Sequence, residues 1–405
     1  MRELAVQKMV RELRPLVPPT YWTVWWGSLI NRAGGFVVPL LTLYLTNSRG
    51  MSASEAGAVV SYFGLGLIAA ALLGGKLADT IGRKRTMMLA LLGGSGVTLA
   101  VGFAHSATTI SILVFAMAFI NELYRPAVAA FVADVVPTQS RLAAYSFLYW
   151  GTNIGFAIAS VLGGVIADVE FLALFVLDAA TTAFYGVVVW LRLTESKPVR
   201  AADHSPRLDE AQSPLRDPTF LLFVAVHLVL AVVPYQSVVT LALELKHQGY
   251  SATTYGLVVG LNGVLVIGLQ PWATKLAPRF NPLRLLAGCA MFYGFGMALH
   301  GFAPLLVIHL LAVTLWTLAE VMESPTRATV VAALASTHGR GRYQGMMGMT
   351  WGFGAFVGPR LGTWGWQRFG SHIMWAGCFV IGTVAALLLL WLTPRVSARL
   401  ENARA

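Results

Sequence analysis

The stretch SASEAGAVVSYFG, residues 52–64, decides the fold, because the chain contains it twice. Displaced by 199 positions it lies over SATTYGLVVGLNG, residues 251–263, with Ser, Ala, Gly, Val, Val and Gly shared in place. Without any gap, the same offset sets Lys76, Leu77 and Ala78 on Lys275, Leu276 and Ala277, Pro126 on Pro325, Arg141 on Arg340, Gly155 on Gly354, and Thr194 on Thr393. The chain therefore reads as two copies of one unit, residues 20–195 and 219–393, flanked by a segment 1–19 and a tail 394–405. Between the copies, residues 196–218 are polar and Pro-rich with charges of both signs, the composition of a linker.

Composition says what each copy is made of. Hydrophobic residues make up 57% of the chain and charged residues 12%, against roughly 45–50% and about 25% in a soluble domain. Apolar runs long enough to cross a ~30 Å hydrocarbon core as helices recur at 21–46, 53–76, 86–104, 107–134, 142–167, 170–193, 219–245, 253–277, 282–301, 305–333, 343–366 and 371–393. That is an all-α membrane protein with twelve transmembrane helices in two parallel six-helix pseudo-repeats. The first run exceeds signal-peptide length, carries Asn31 and Arg32, and has no small-residue cleavage site after it, so it reads as retained.

The net charge of +11 does not point to nucleic acid. With the N-terminus inside, 22 of the 29 Lys and Arg residues fall in inner segments, three in outer loops (Arg49, Lys246 and Arg368), and four within spans (Arg32, Arg125, Arg327 and Arg360). This is the positive-inside asymmetry, and it puts both termini in the cytoplasm. Cys289 and Cys378 sit in separate apolar runs without metal-ligand spacing, so neither a disulfide nor a metal site is expected. No nucleotide loop, nucleophile constellation or cofactor motif is present, which argues against an enzyme.

Parallel six-helix repeats are the architecture in which one half rocks against the other around a site near the bilayer midplane. GGKLADTIGRKR, residues 74–85, resembles the cytoplasmic loop signature of the major facilitator superfamily, G-x-L-a-D-r-x-G-r-k, in Gly75, Leu77, Asp79, Gly82, Arg83 and Lys84, and departs from it at Thr80. The resemblance implies that Asp79 and Arg83, with Asp134, latch the halves in the outward-facing state. In the second half ATKLAPRFNPLR, residues 273–284, keeps Lys275 and Arg284 but has Pro278 opposite Asp79, so no symmetric latch is expected. Residues 125–164 and 324–362 resemble the fourth-to-fifth and tenth-to-eleventh helix regions of bacterial multidrug efflux (drug:proton antiporter) members. The branch's glycine motif is degraded in the fifth span (Gly155, Ala159, Ser160, Gly163, Gly164) and intact in the eleventh (Gly354, Gly358, Pro359, Gly362). Helix packing and a part in conformational change are both open to these glycines.

LAEVMESPTRATV, residues 318–330, poses the functional question. A charge at the bilayer centre costs on the order of 2.5–3.5 kcal/mol, so three acids and three arginines facing lipid unpaired would cost roughly 15–20 kcal/mol. Glu122 and Arg125 share one helix face at i, i+3, and Glu320, Glu323 and Arg327 share another at i, i+3, i+7. Pro126 and Pro325 each remove a backbone donor beside these stripes. The family resemblance implies that the first, fourth, seventh and tenth spans line a central cavity, which adds Asn31 and Arg32. Arginine keeps its proton and a desolvated carboxylate can hold one, so proton coupling is expected at Glu320 first, then Glu323 and Glu122, whose other reading is as partners of the arginines. Tyr149, Trp150, Asn153, Gln236, Asn262 and Trp351, with Arg125 and Arg327, complete the expected substrate cavity, while YWTVWW, residues 21–26, reads as an interfacial aromatic belt.

Three functions stay open on sequence. One is proton-coupled export of small amphipathic compounds by a monomer in the bacterial cytoplasmic membrane. A second is import or uniport of an anionic metabolite on the arginines. A third is a non-transporting receptor or scaffold, which would have no use for the buried charges.

Overall fold

The computed structural model describes residues 14–196, 213–335 and 340–402. Residues 1–13 of the N-terminal segment, 197–212 of the linker and 403–405 of the tail lie outside the described residues. Helix is the only regular structure among the described residues. Among the described residues eleven helices are long and apolar enough to cross a membrane: Pro19–Asn47, Ala53–Ile81, Arg83–Phe103, Ala107–Val135, Thr138–Val169, Phe171–Arg192, Pro218–His247, Ala252–Arg279, Pro282–Phe302, Leu306–Leu334 and Ser371–Arg399. The eleventh expected span is present as the 30-residue helix Arg340–Phe369. Eight glycines and four arginines dilute its hydropathy, but not its length.

Helix starts follow local chemistry. Ser106 and Ser251 accept hydrogen bonds from Thr109 N and Thr254 N, satisfying donors that a helix end leaves over. Ser52 and Glu55 form a reciprocal capping box, Glu55 accepting from Ser52 N at 2.8 Å and Ser52 from Glu55 N at 3.3 Å. Asp217 and Asn281 cap helices whose first residue is proline, the position where a missing N–H is harmless.

Besides the fourth span, interrupted at Leu123, two spans expected to be continuous are broken. The first divides into Pro19–Ala33 and Val37–Asn47. The seventh divides into Pro218–Leu230 and Thr240–His247, with a 3-10 turn at Pro234–Ser237 between them. The breaks lie at equivalent places in the repeat. Gly155 in the fifth span packs on the first break, where a Cβ would come within 2.7 Å of Arg32 Cβ. Gly354 packs on the seventh, where a Cβ would come within 2.3 Å of Ala231 O, and Gly358 and Gly362 continue the same contact. The intact glycine motif thus lets the eleventh span approach the irregular backbone of the seventh.

The helices sort into two compact units, one of residues 1–38, 66–159 and 170–203, the other of 39–65, 160–169 and 204–405. The first is centred on Tyr21, Trp25, Met87, Phe131, Phe147 and Tyr185. Tyr21 and Trp25 are buried and donate to Ala144 O and Phe147 O, which corrects the interfacial-belt expectation: within residues 21–26 only Trp26 is largely exposed. The second unit is built on Phe220, Phe223, Leu283, Leu286, Val330, Tyr343 and Leu389. It also uses the founding repeat twice. A Cβ on Gly57 would meet Pro359 O at 2.7 Å and Thr363 Oγ1 at 1.9 Å, and one on Gly256 would meet Ser160 O at 2.2 Å and Gly164 Cα at 3.4 Å. Each pair of partners is itself related by the 199-residue offset, so the duplicated glycines mark duplicated helix crossings.

Candidate functional site

In the second unit the tenth span, Leu306–Leu334, presents its polar stripe to the seventh, eighth and eleventh spans. Asn262 donates both amide hydrogens, one to Thr317 Oγ1 at 3.0 Å and one to Glu320 Oε2 at 2.7 Å. Glu323 Oε1 lies 2.6 Å from Arg327 Nε and 3.8 Å from His227 Nε2, with all three side chains at least five-sixths buried. Arg327 lies over the Trp351 ring at 5.8 Å, and the Tyr293 phenol is within electrostatic reach of both glutamates. The stripe therefore contains two different acids. Glu323 is neutralised by an arginine, whereas Glu320, among the described residues, is held by an amide and has no basic side chain within ion-pair distance.

The first unit carries a second polar group. Arg125 Nη1 stands 3.5 Å from Glu122 Oε2, with the arginine side chain 78% exposed. Arg32 lies 5.4 Å over the Phe156 ring and within electrostatic reach of Glu122, Arg125 and Asp178. Asn31 Oδ1 is buried and lacks a hydrogen-bond partner among the described residues. The fourth span is interrupted at Leu123, three residues before Pro126, while Pro325 lies inside a continuous helix. The two prolines of the repeat act differently.

Other expected cavity residues are engaged within the helices. Gln236 is buried, donating to Val232 O and Gly358 O and accepting from Thr240 Oγ1 at 2.6 Å, a clamp between the seventh and eleventh spans. Trp150 stacks on Phe147 as part of the first unit's core. Asn153 donates to Tyr149 O in its own helix, and Tyr149 is half exposed.

The loop residues 75–85 fold together within the first unit. Gly82 makes the turn at φ 103°, a conformation favouring glycine. Arg83, though nearly buried, bridges Asp79 at 2.9 Å and Asp134 at 3.1 Å, and donates to Ala78 O. Lys84 reaches Trp190 O. Glu195, which the sequence did not single out, accepts from Lys84 N and Arg85 N at the start of the third span. Gly75 has open space around its Cα.

Sequence reasoning also missed His227, Tyr293 and Thr317, whose types carry no signal in an apolar run, and two acids inside spans. Asp178 faces the break in the first span. Glu244, buried at the end of the seventh span, accepts from Trp366, Ser371, Trp375 and Gln248. Gln248 Oε1 in turn accepts from His309 Nε2, which leaves His309 Nδ1 to accept from His300.

Paired six-helix repeats with broken helices beside buried charges define a multi-pass membrane protein of the secondary-transporter class. The Major Facilitator Superfamily profile matches residues 24–359, and the chain belongs to that family. It is 26% identical over 357 residues to the uncharacterized MFS-type transporter YqjV of Bacillus subtilis, covering 85% of this chain and 86% of the relative. It is 23% identical to the Na(+), Li(+), K(+)/H(+) antiporter of Planococcus maritimus, over 90% and 93% of the two chains. To the multidrug resistance protein MdtH of Klebsiella pneumoniae it is 25% identical, over 90% and 92%. The nucleoside transporter NupG superposes with a TM-score of 0.80 at 13% identity, covering 92% of this chain and 99% of that one. The last likeness is one of fold.

Proposed function

We propose that this transporter exports small amphipathic compounds in exchange for protons. In this reading it works as a monomer in the bacterial cytoplasmic membrane with both termini inside. One observation carries the reading. Glu320 is a membrane-embedded carboxylate held by the amide of Asn262 at 2.7 Å with no cation at ion-pair distance among the described residues. A carboxylate so placed has two ways to relieve its charge, a proton or a cationic substrate, and competition between them is the elementary step of antiport. Glu323, facing an arginine in the same unit, sets the field around it, and Glu122, facing Arg125 in the first unit, is the further acid of this reading. An ionised Glu320 accepts the Asn262 amide and attracts a cation; protonation removes that attraction and releases the cargo. Beside Glu320 in the second unit Trp351 supplies an aromatic group for an amphipathic guest, and in the first unit Asn31, Arg32, Arg125 and Tyr149 are the hydrogen-bonding, charged and aromatic groups of this reading. Two relatives whose names contain multidrug resistance and cation/proton antiport give the reading further support. In this scheme Asp79, Arg83 and Asp134 serve as the latch between outward- and inward-open states.

The test is proton release. A pH dye in weak buffer is followed as a lipophilic cation such as tetraphenylphosphonium is added to purified, detergent-solubilised protein, wild type or Glu320→Gln. Release by the wild type that vanishes in the variant is expected. Cation binding without release overturns proton exchange, and release on adding an organic anion instead favours the arginine-based importer.

A further inference from the structure

The break in the first span is built around a side chain with no assigned role. Gly34 lies against the sixth span so closely that a Cβ would be 2.0 Å from Thr181 Oγ1. One turn earlier on the sixth span, Asp178 accepts a hydrogen bond from Val37 N at 3.1 Å, the first amide of the half-helix Val37–Asn47. Thr182 Oγ1 approaches the other carboxylate oxygen at 3.4 Å. Asp178 is 9% exposed. The boundary between the two compact units falls at 38/39, one residue past the capped Val37.

A cap alone does not require a carboxylate. Asn and Ser cap as well as Asp, and neither carries the penalty of placing a charge at membrane depth. What Asp adds is the capacity to be switched, since protonation weakens the bond to Val37 N and removes the attraction for the half-helix N-terminus. The charged group facing Asp178 from the first span is Arg32, and Glu122 and Arg125 of the fourth span stand within reach of Arg32. Of the third span, which packs on the sixth along its length, Gly94–Phe103 carries no titratable residue, and the bases of Arg83–Met88, Arg83, Lys84 and Arg85, meet the far end of the sixth span at Trp190.

We propose that Asp178 is a positioning residue for transport: its carboxylate anchors the start of Val37–Asn47 to the sixth span, and its protonation releases that half-helix. Its bearing on transport rests on the transporter assignment and on proton coupling; the hinge itself is testable without a substrate.

Hydrogen exchange read by mass spectrometry on the full-length protein in nanodiscs, between pH 5 and 9 and normalised to intrinsic exchange rates, follows the amides of residues 33–40. In the wild type, protection at Phe36 and Val37 is expected to fall about tenfold on acidification, the loss of one charge-assisted hydrogen bond. Asp178→Asn is expected to stay protected at every pH, and Asp178→Ala to be unprotected at every pH. A wild type without a step, or an Asn variant with the same step, overturns the proposal. Should Asp178→Asn not fold, Thr182→Val serves, since losing a donor to the carboxylate moves the step to higher pH; an unmoved step overturns the proposal equally. In proteoliposomes Asp178→Asn is expected to bind tetraphenylphosphonium within about twofold of wild type and to lose the pH dependence of its transport rate; unchanged pH dependence refutes the role in transport. A wild type that shows the step but moves no cation refutes proton-coupled export and leaves the hinge standing.

Discussion

Replacing Arg327 with Met removes the cation 2.6 Å from Glu323 and leaves its carboxylate 16% exposed. Breaking a buried pair by removing one partner costs about 3–5 kcal/mol, whereas an exposed pair is worth about 0–1 kcal/mol. With the partners 13% and 16% exposed, the cost lies near the buried limit, about 3 kcal/mol. His227 does not replace the arginine: its Nδ1–H donates to Phe223 O, so the neutral ring's Nε2, 3.8 Å from the same oxygen, has no hydrogen to give. The ~3 kcal/mol corresponds to a fall of about 6–12 °C in apparent Tm for helical bundles of this size. The assay is a fluorescence melt in detergent at one fixed scan rate, since unfolding of such proteins is irreversible. Glu323→Gln with Arg327→Met removes both charges together and is expected to regain more than half of the loss. Glu320→Gln alone is expected to melt within about 2 °C of wild type, because a Gln carbonyl still accepts from Asn262 and no cation is orphaned. A single Arg327→Met variant that melts like wild type, or a double variant that melts as low as the single, refutes the reasoning.

Three further outcomes follow from particular contacts. Gly256→Val puts a side chain where a Cβ alone would lie 2.2 Å from Ser160 O, so a loss of at least ~2 kcal/mol in melts is expected, while Gly75→Ala, whose Cβ would meet nothing within 4 Å, is expected to melt like wild type. Burial raises the Asp217 carboxyl, but hydrogen bonds led by that from Arg399 outweigh it and hold the group below its ordinary value. A lowered folded value means stabilisation that is complete above the unfolded value of about 4 and lost as pH falls through the folded one; the wild-type advantage over Asp217→Asn is therefore expected to be constant from pH 7 to about 5 and to shrink below ~4, and an advantage that grows on acidification refutes it. Gln236→Leu removes the second hydrogen bond at the Gly358 carbonyl and takes the acceptor of the buried Thr240 hydroxyl, and a loss of about 1–3 kcal/mol is expected; an unchanged melt excludes the clamp.

The spans were legible because lipid imposes a length and a composition that apolar runs display directly. Their ends fell within a few residues of the helices found, except the last, which continues through Pro394 to Asn402. The helix crossings at Gly57 and Gly256 were legible as a repeat, since a close approach used twice leaves the same residue twice. The break at residues 34–36 was not read from Gly34 and Gly35, because the group that satisfies the freed Val37 amide lies on another helix: Asp178, 141 positions away. Periodicity likewise placed Glu320, Glu323 and Arg327 on one face, but not which acid the arginine takes. That choice depends on Asn262 arriving from the eighth span at 2.7 Å from Glu320. The residues 21–26 misled for a related reason. Aromatic residues at a membrane boundary and aromatic residues in a core are written alike, and only the carbonyls of Ala144 and Phe147 as hydrogen-bond acceptors separate them.

The central claim is that Glu320 exchanges a proton for cargo, and uphill transport tests it most directly. Proteoliposomes with an acid lumen are given external tetraphenylphosphonium, and its accumulation is followed with an ion-selective electrode for wild type and Glu320→Gln. Wild type is expected to concentrate the cation at the expense of the pH gradient and to stop when the gradient is collapsed. Glu320→Gln is expected to reach equal concentrations on both sides and no more. A variant that still concentrates the cation contradicts the account.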